Sequence, residues 1–213
     1  MSWQQLCTTR PHHHTVDKQI NPNRRYNVEH ITAFVQAAEQ KKSPLIIQLF
    51  PSSLKQTPSL VFAAAAAAKT ASVPISVHLD HAQDYEQIEY VADNLPFDSI
   101  MVDMSHYEKE ENLAKTRVLR DYCHARGITV EAETGRIEGG EDGNMDTGDL
   151  EGMLQNGASH IKWILVFTTV AGILTNPEDV EEFISAGVDF LAPSVGNLHG
   201  DYGEKGPHLD MDR

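Results

Sequence analysis

Asp80 and His81 stand side by side at the end of an alternating stretch, Val73 to Asp84, VPISVHLDHAQD. Imidazole is a good ligand for a borderline-soft cation, and a carboxylate beside it can move a proton. An Asp–His pair also satisfies ordinary loops, so the reading depends on how other strands end. Asp103 closes DSIMVDM and Glu133 closes ITVEAE. A further strand, Val188 to Pro193, leads into Gly196-Asn197-Leu198-His199-Gly200, a His between flexible residues. Side-chain alternation sorts each strand into two faces. Ser76, His78 and Asp80 share one, as do Ser99, Met101 and Asp103, and Thr129, Glu131 and Glu133. Ile75, Val77 and Leu79, with Ile100, Val102, Ile128, Val130 and Ala132, fall on the opposite faces and suit packing under helices. Three carboxylates gathered at one sheet end repel one another unless a cation or protons compensate. The expected chemistry is therefore metal-assisted proton transfer, with Asp80, His81, Asp103, Glu133 and His199 as its residues. His106, His124, His160, His208 and Glu131 are given no role, and His12 to His14 read as a solvated terminal tract.

Strands and helices alternate along the chain. Asn27 is expected to cap a helix to about Lys42, followed by a strand over Leu45 to Phe50 and an exit loop at Pro51-Ser52-Ser53. A helix from Ser59 contains six consecutive alanines, strong helix formers. The strand at 73–80 precedes a helix over about 84–94. A strand at 98–104 precedes a helix over 110–126 that Gly127 closes. The strand at 128–133 runs into a Gly-rich acidic loop, residues 135–148. Pro177 sits in the first turn of a helix to about Ala186, and residues 196–213 read as loop. Such alternation argues for a parallel sheet with helices outside it.

The length of 213 residues suits one domain with a full core. A net charge of −14 argues against a nucleic-acid or anionic-membrane surface. Two cysteines make no disulfide framework, so a reducing, cytoplasmic setting is expected. No apolar leader or bilayer-length run stands out; the longest apolar stretch, 161–174, carries Lys162.

Several strand ends together carry a family likeness. VPISVHLDHA, FDSIMVDMS followed by EEN, ITVEAETGRIEGGEDG, TNPEDVEEF and VDFLAPSVGNLHGDYG resemble successive segments of class II, metal-dependent fructose-bisphosphate aldolases, fungal members above all, over roughly residues 27–154 and 174–213. The resemblance implies a (β/α)8 TIM barrel, a catalytic zinc and reversible cleavage of fructose 1,6-bisphosphate to dihydroxyacetone phosphate and glyceraldehyde 3-phosphate. It implies that Asp80 transfers the proton, that His81 and His199 bind zinc, and that Asp103 and Glu133 surround an alternative metal position. It places Glu141 as an acid on a mobile loop, and Gly200 where backbone meets the substrate phosphate and a monovalent cation. A homodimer is implied as well.

The chain also departs from that pattern. Asn21-Pro22-Asn23-Arg24-Arg25 stands where the family's first strand is expected, and a Pro with two charges makes a poor buried strand. Residues 155–173 have no counterpart, so an insert outside the core is expected within one domain spanning residues 1–213. The family's last two βα units, with a third zinc His, fall beyond Arg213 by this resemblance. The expectation is an incomplete barrel that holds zinc weakly and turns over slowly or not at all. The rival readings are an inactive truncated or diverged paralogue, an aldolase for another ketose phosphate such as tagatose bisphosphate, and a metal-dependent hydrolase in which Asp80 activates water. The last does not fit EAETGRIEGGEDG.

Overall fold

A computed structural model describes residues 27–137, 174–197, 199 and 209–212. Helix α1, Val28–Lys41, begins where Asn27 Oδ1 accepts a hydrogen bond from the His30 N–H at 2.9 Å. It ends at Lys42 in the left-handed region. Strand β1, Leu45–Leu49, follows. The expected exit loop is instead a short helix, α2, Pro51–Gln56: Pro51 occupies its first turn, where a fixed φ and a missing N–H do no harm. Helix α3 is Ser59–Thr70, β2 is Ile75–Ala82 and α4 is Tyr85–Asn94. Then come β3, Ser99–Val102; α5, Lys109–His124; β4, Thr129–Thr134; α6, Pro177–Ser185; and β5, Phe190–Pro193. The five strands lie in one sheet in chain order, and the β1–β2, β2–β3 and β4–β5 pairs are parallel. The parallel βα alternation read from the sequence is thus present, in the pattern of an incomplete β/α barrel.

Two compact units divide the chain: Met1–Val102 with Leu119–Val130, and Asp103–Val118 with Glu131–Arg213. In the first, Leu45↔Ile75 through Leu49↔Leu79 set the β1–β2 register, and His78↔Ser99 and Leu79↔Ile100 begin the β2–β3 register. Helix α3 packs on α1 and β2, and its buried residues are Leu60, Val61 and Ala64. Most of the alanine run therefore makes helix rather than core. Asp93 accepts hydrogen bonds from the Tyr122 hydroxyl and from Arg126 Nε, which fastens the end of α4 to the end of α5. Those two bonds, Tyr122's first, hold the Asp93 carboxyl below its ordinary range. Burial pushes the Cys123 thiol up to about 11, so it is no nucleophile near neutral pH. In the second unit, Leu113, Ala132, Phe183 and Ala186 form a buried cluster, with Val188 and Leu191 packed against it. Lys109 Nζ reaches Asp179 at 3.3 Å and Glu182 at 3.0 Å, joining the start of α5 to α6.

Residues 21–25, the acidic loop from residue 138 onward and the expected insert at 155–173 lie outside the described residues. Among the described residues, no helix is long and apolar enough to cross a membrane.

The caps make a simple prediction. Asp84 Oδ1 accepts from the Gln87 N–H at 2.7 Å and closes the first turn of α4. Asp84→Ala is expected to cost about 1 kcal/mol in urea unfolding, and Asp84→Asn much less.

Candidate metal and proton-transfer site

The alternation of β2 carries Asp80 onto the same side as two polar neighbours. Gln48, the register partner of His78, donates from Nε2 to Asp80 Oδ2 at 3.1 Å. Oδ1 of the same carboxylate lies 3.8 Å from His78 Nε2. His78 Nδ1 meets Ser99 Oγ at 2.7 Å, and both residues are buried. The shared face of Ser76, His78 and Asp80 expected from the sequence therefore also holds Gln48 and Ser99. A carboxylate buried in apolar surroundings would be strongly disfavoured in its charged form; the Gln48 donor on Oδ2 offsets part of that.

His81 departs from plain alternation. Strand β2 does not stop at Asp80 but runs to Ala82, and its register with β3 shifts between Leu79 and Ala82. His81 takes φ 50, left-handed backbone that a non-glycine residue adopts at some cost. A register irregularity of this kind re-aims a side chain at a strand end. The ring is buried and stacks on Phe50, centroids 6.2 Å apart and planes 11° apart. Phe50 ends the connection from β1 into α2, so a second strand end fixes the orientation of the imidazole.

In the second unit, Asp103 directly follows β3. Its Oδ1 accepts from the Ser105 N–H at 3.1 Å and the Ser105 hydroxyl at 2.7 Å, a side-chain turn that pins the carboxylate. Glu133 lies one residue before the end of β4. Its Oε1 accepts from the Ile137 N–H at 2.8 Å, and its carbonyl accepts from Asn112 Nδ2 at 3.1 Å. Thr116 in turn donates to Asn112 Oδ1 at 3.1 Å. Asp103 and Glu133 are each no more than 2% exposed. His199 is half-buried, and nearby the Asn197 side chain accepts from the Val195 N–H at 2.8 Å. His106 is half-buried beside Tyr107, and burial lowers its imidazole below the ordinary value.

His81, Asp103 and Glu133 are buried groups that each offer a donor atom suited to a metal ion. Imidazole and carboxylate are each ligands for divalent cations of the zinc or manganese type. Buried carboxylates of this kind also gain from a cation's charge. Glu141 and Gly200 lie outside the described residues, while Asp80 and His81 fall in the last three residues of β2, Asp103 directly follows β3 and Glu133 lies one residue before the end of β4. Gln48 and Ser99 were not singled out by their chemistry. The one available signal was Gln48 interrupting the apolar strand LIIQL.

Comparison with known proteins follows the same residues. The family model "Fructose-bisphosphate aldolase class-II" matches residues 20–213. A Coccidioides immitis protein provisionally named as a fructose-bisphosphate aldolase is 51% identical over 196 residues, 88% of this chain and 58% of that protein. The fructose-bisphosphate aldolase of Thermus caldophilus is 36% identical over 190 residues, 88% of this chain and 55% of its own length. The chain thus spans rather more than half the length of these relatives. The crystal structure of the Coccidioides immitis protein superposes with a TM-score of 0.75 at 53% identity, covering 88% of this chain and 59% of that one. That of the YdjI aldolase from Escherichia coli K12 gives 0.60 at 28% identity, covering 82% and 55%. With a family match across nearly the whole sequence, on a parallel β/α sheet whose strand ends carry these groups, the chain belongs to the class II fructose-bisphosphate aldolase family.

Proposed function

We propose that this chain carries out metal-dependent aldol cleavage of a phosphorylated ketose, fructose 1,6-bisphosphate, and the reverse condensation of the two triose phosphates. The observation that carries the reading is Asp80, a buried carboxylate held between Gln48 and His78 and adjacent in sequence to the re-aimed His81. His81 and His199 are proposed to hold zinc, with Asp103 and Glu133 serving an alternative metal position. Bound zinc supplies Lewis-acid polarisation of the ketose carbonyl. In cleavage, Asp80 takes the hydroxyl proton from the carbon that becomes the aldehyde, as the carbon–carbon bond breaks. Glu141 is proposed to deliver a proton to the carbon left on the ketone fragment, so the proton count balances. The backbone at Gly200 is proposed to meet a substrate phosphate and a monovalent cation. A cytoplasmic homodimer acting in sugar breakdown and synthesis completes the reading. The family names favour fructose 1,6-bisphosphate over tagatose bisphosphate, and no observation favours water activation or an inactive paralogue.

The test is release of triose phosphate from fructose 1,6-bisphosphate in a coupled assay, after chelation and after zinc is restored. Turnover should vanish on chelation and return with zinc; a rate indifferent to the metal would contradict the proposal. Metal binding has its own readout. With free zinc a hundredfold above its Kd, unfolding free energy is expected to rise by about 2.7 kcal/mol. His81→Ala should remove most of that gain. A melting temperature that rises equally in the variant would place the bound zinc elsewhere.

A further inference from the structure

We propose that His78, oriented by Ser99, is the positioning residue for the Asp80 carboxylate, a role that rests on Asp80 being the proton carrier. The parallel register puts His78 opposite both Gln48 and Ser99, so the backbone itself aligns the three side chains. His78 and Ser99 are 1% and 0% exposed. In so dry a place the tautomer follows from electrostatics. If His78 Nε2 were bare, its lone pair would face the lone pairs of Asp80 Oδ1, 3.8 Å away. With the proton on Nε2, the N–H dipole points toward the carboxylate. Nδ1 is then the acceptor, and the Ser99 hydroxyl, 2.7 Å away, is its donor. Serine can fill either role, so it follows whichever tautomer Asp80 selects, then locks it. At 3.8 Å the His78–Asp80 contact is longer than a hydrogen bond. His78 acts as an oriented dipole beside Oδ1 while Gln48 holds Oδ2 directly. Together they fix the plane in which the carboxylate meets the substrate hydroxyl. The imidazole itself neither gains nor loses a proton in this role.

Nitrogen-15 NMR of the imidazoles in the 213-residue chain reads the arrangement without turnover. The expected result is a neutral His78 with its proton on Nε2, whose N–H resonance moves in Asp80→Asn. In Ser99→Ala the single tautomer should give way to a mixture. A protonated ring, a proton on Nδ1, or a resonance unmoved by Asp80→Asn would overturn the proposal. Kinetics add a second readout. His78→Phe keeps the bulk without the N–H and should lower kcat about 10–100-fold with KM little changed. His78→Gln restores an N–H donor and should recover most of the rate; equal losses in both would show a packing role only and overturn the proposal. Absence of turnover in the wild-type chain would sink the aldol reading alone, because the tautomer and its response to Asp80→Asn decide the His78 proposal independently.

Discussion

Asp80→Asn is expected to lower kcat for aldol cleavage by about 10²–10⁴-fold while leaving the fold in place. Asparagine matches aspartate in shape, and its amide oxygen can still accept from Gln48 Nε2. What it cannot do is take a proton, and that is the only property the proposed mechanism asks of this residue. The loss corresponds to roughly 3–5 kcal/mol of transition-state stabilisation. Substrate affinity should change far less, because the carboxylate acts on a proton in flight rather than on the bound ground state. Circular dichroism and the urea midpoint, measured beside the kinetics, separate lost chemistry from lost structure. A folded Asp80→Asn protein that cleaves at the wild-type rate would remove Asp80 from the mechanism.

Phe183→Ala is expected to destabilise the chain by about 3–5 kcal/mol. Phe183 is 1% exposed and packs with Leu113, Ala132 and Ala186, against Val188 and Leu191. It joins α6 to α5, β4 and β5 in a small cluster with few large side chains, so truncation leaves a void that alanines at 132 and 186 cannot fill. Phe183→Leu keeps much of the volume and should cost less than about 1.5 kcal/mol. The adjacent Ile184 is 55% exposed, and Ile184→Ala should move stability by no more than about 0.5 kcal/mol. Urea unfolding of the three variants checks the ranking. Similar losses at 183 and 184 would mean that this cluster does not hold α6 in place.

The features readable from sequence are those that local chemistry dictates. Asn27 and Asp84 cap helices because a short side-chain oxygen reaches the N–H three residues on. Pro177 falls in the first turn of α6, and Gly127 takes φ +75 just past α5. Alternation put His78 and Asp80 on one face, and the Gln48 and Ser99 contacts bear that out. Contacts between strands are another matter. Nothing local distinguishes Gln48 as the partner of a residue thirty-two positions away; the β1–β2 register creates that pair. The left-handed backbone at His81 and the two-residue extension of β2 depend on the shifted register with β3. The turn that Ser105 and Asp103 form, and the Ile137 N–H on Glu133, show carboxylates with structural duties beside any chemical one. Alternation alone does not report such duties. The misread loop at Pro51 has a similar origin: proline stops a strand, but it also starts a helix, and the residues after it chose the second.

Crystals grown with zinc, with diffraction recorded on both sides of the zinc absorption edge, would locate the ion directly. The expected anomalous peak lies against the His81 ring, the proposed zinc ligand that β2 presents at its end. A peak against other histidines, such as His12 to His14, with none at His81, would contradict the assignment of these strand ends as the metal and proton-transfer site.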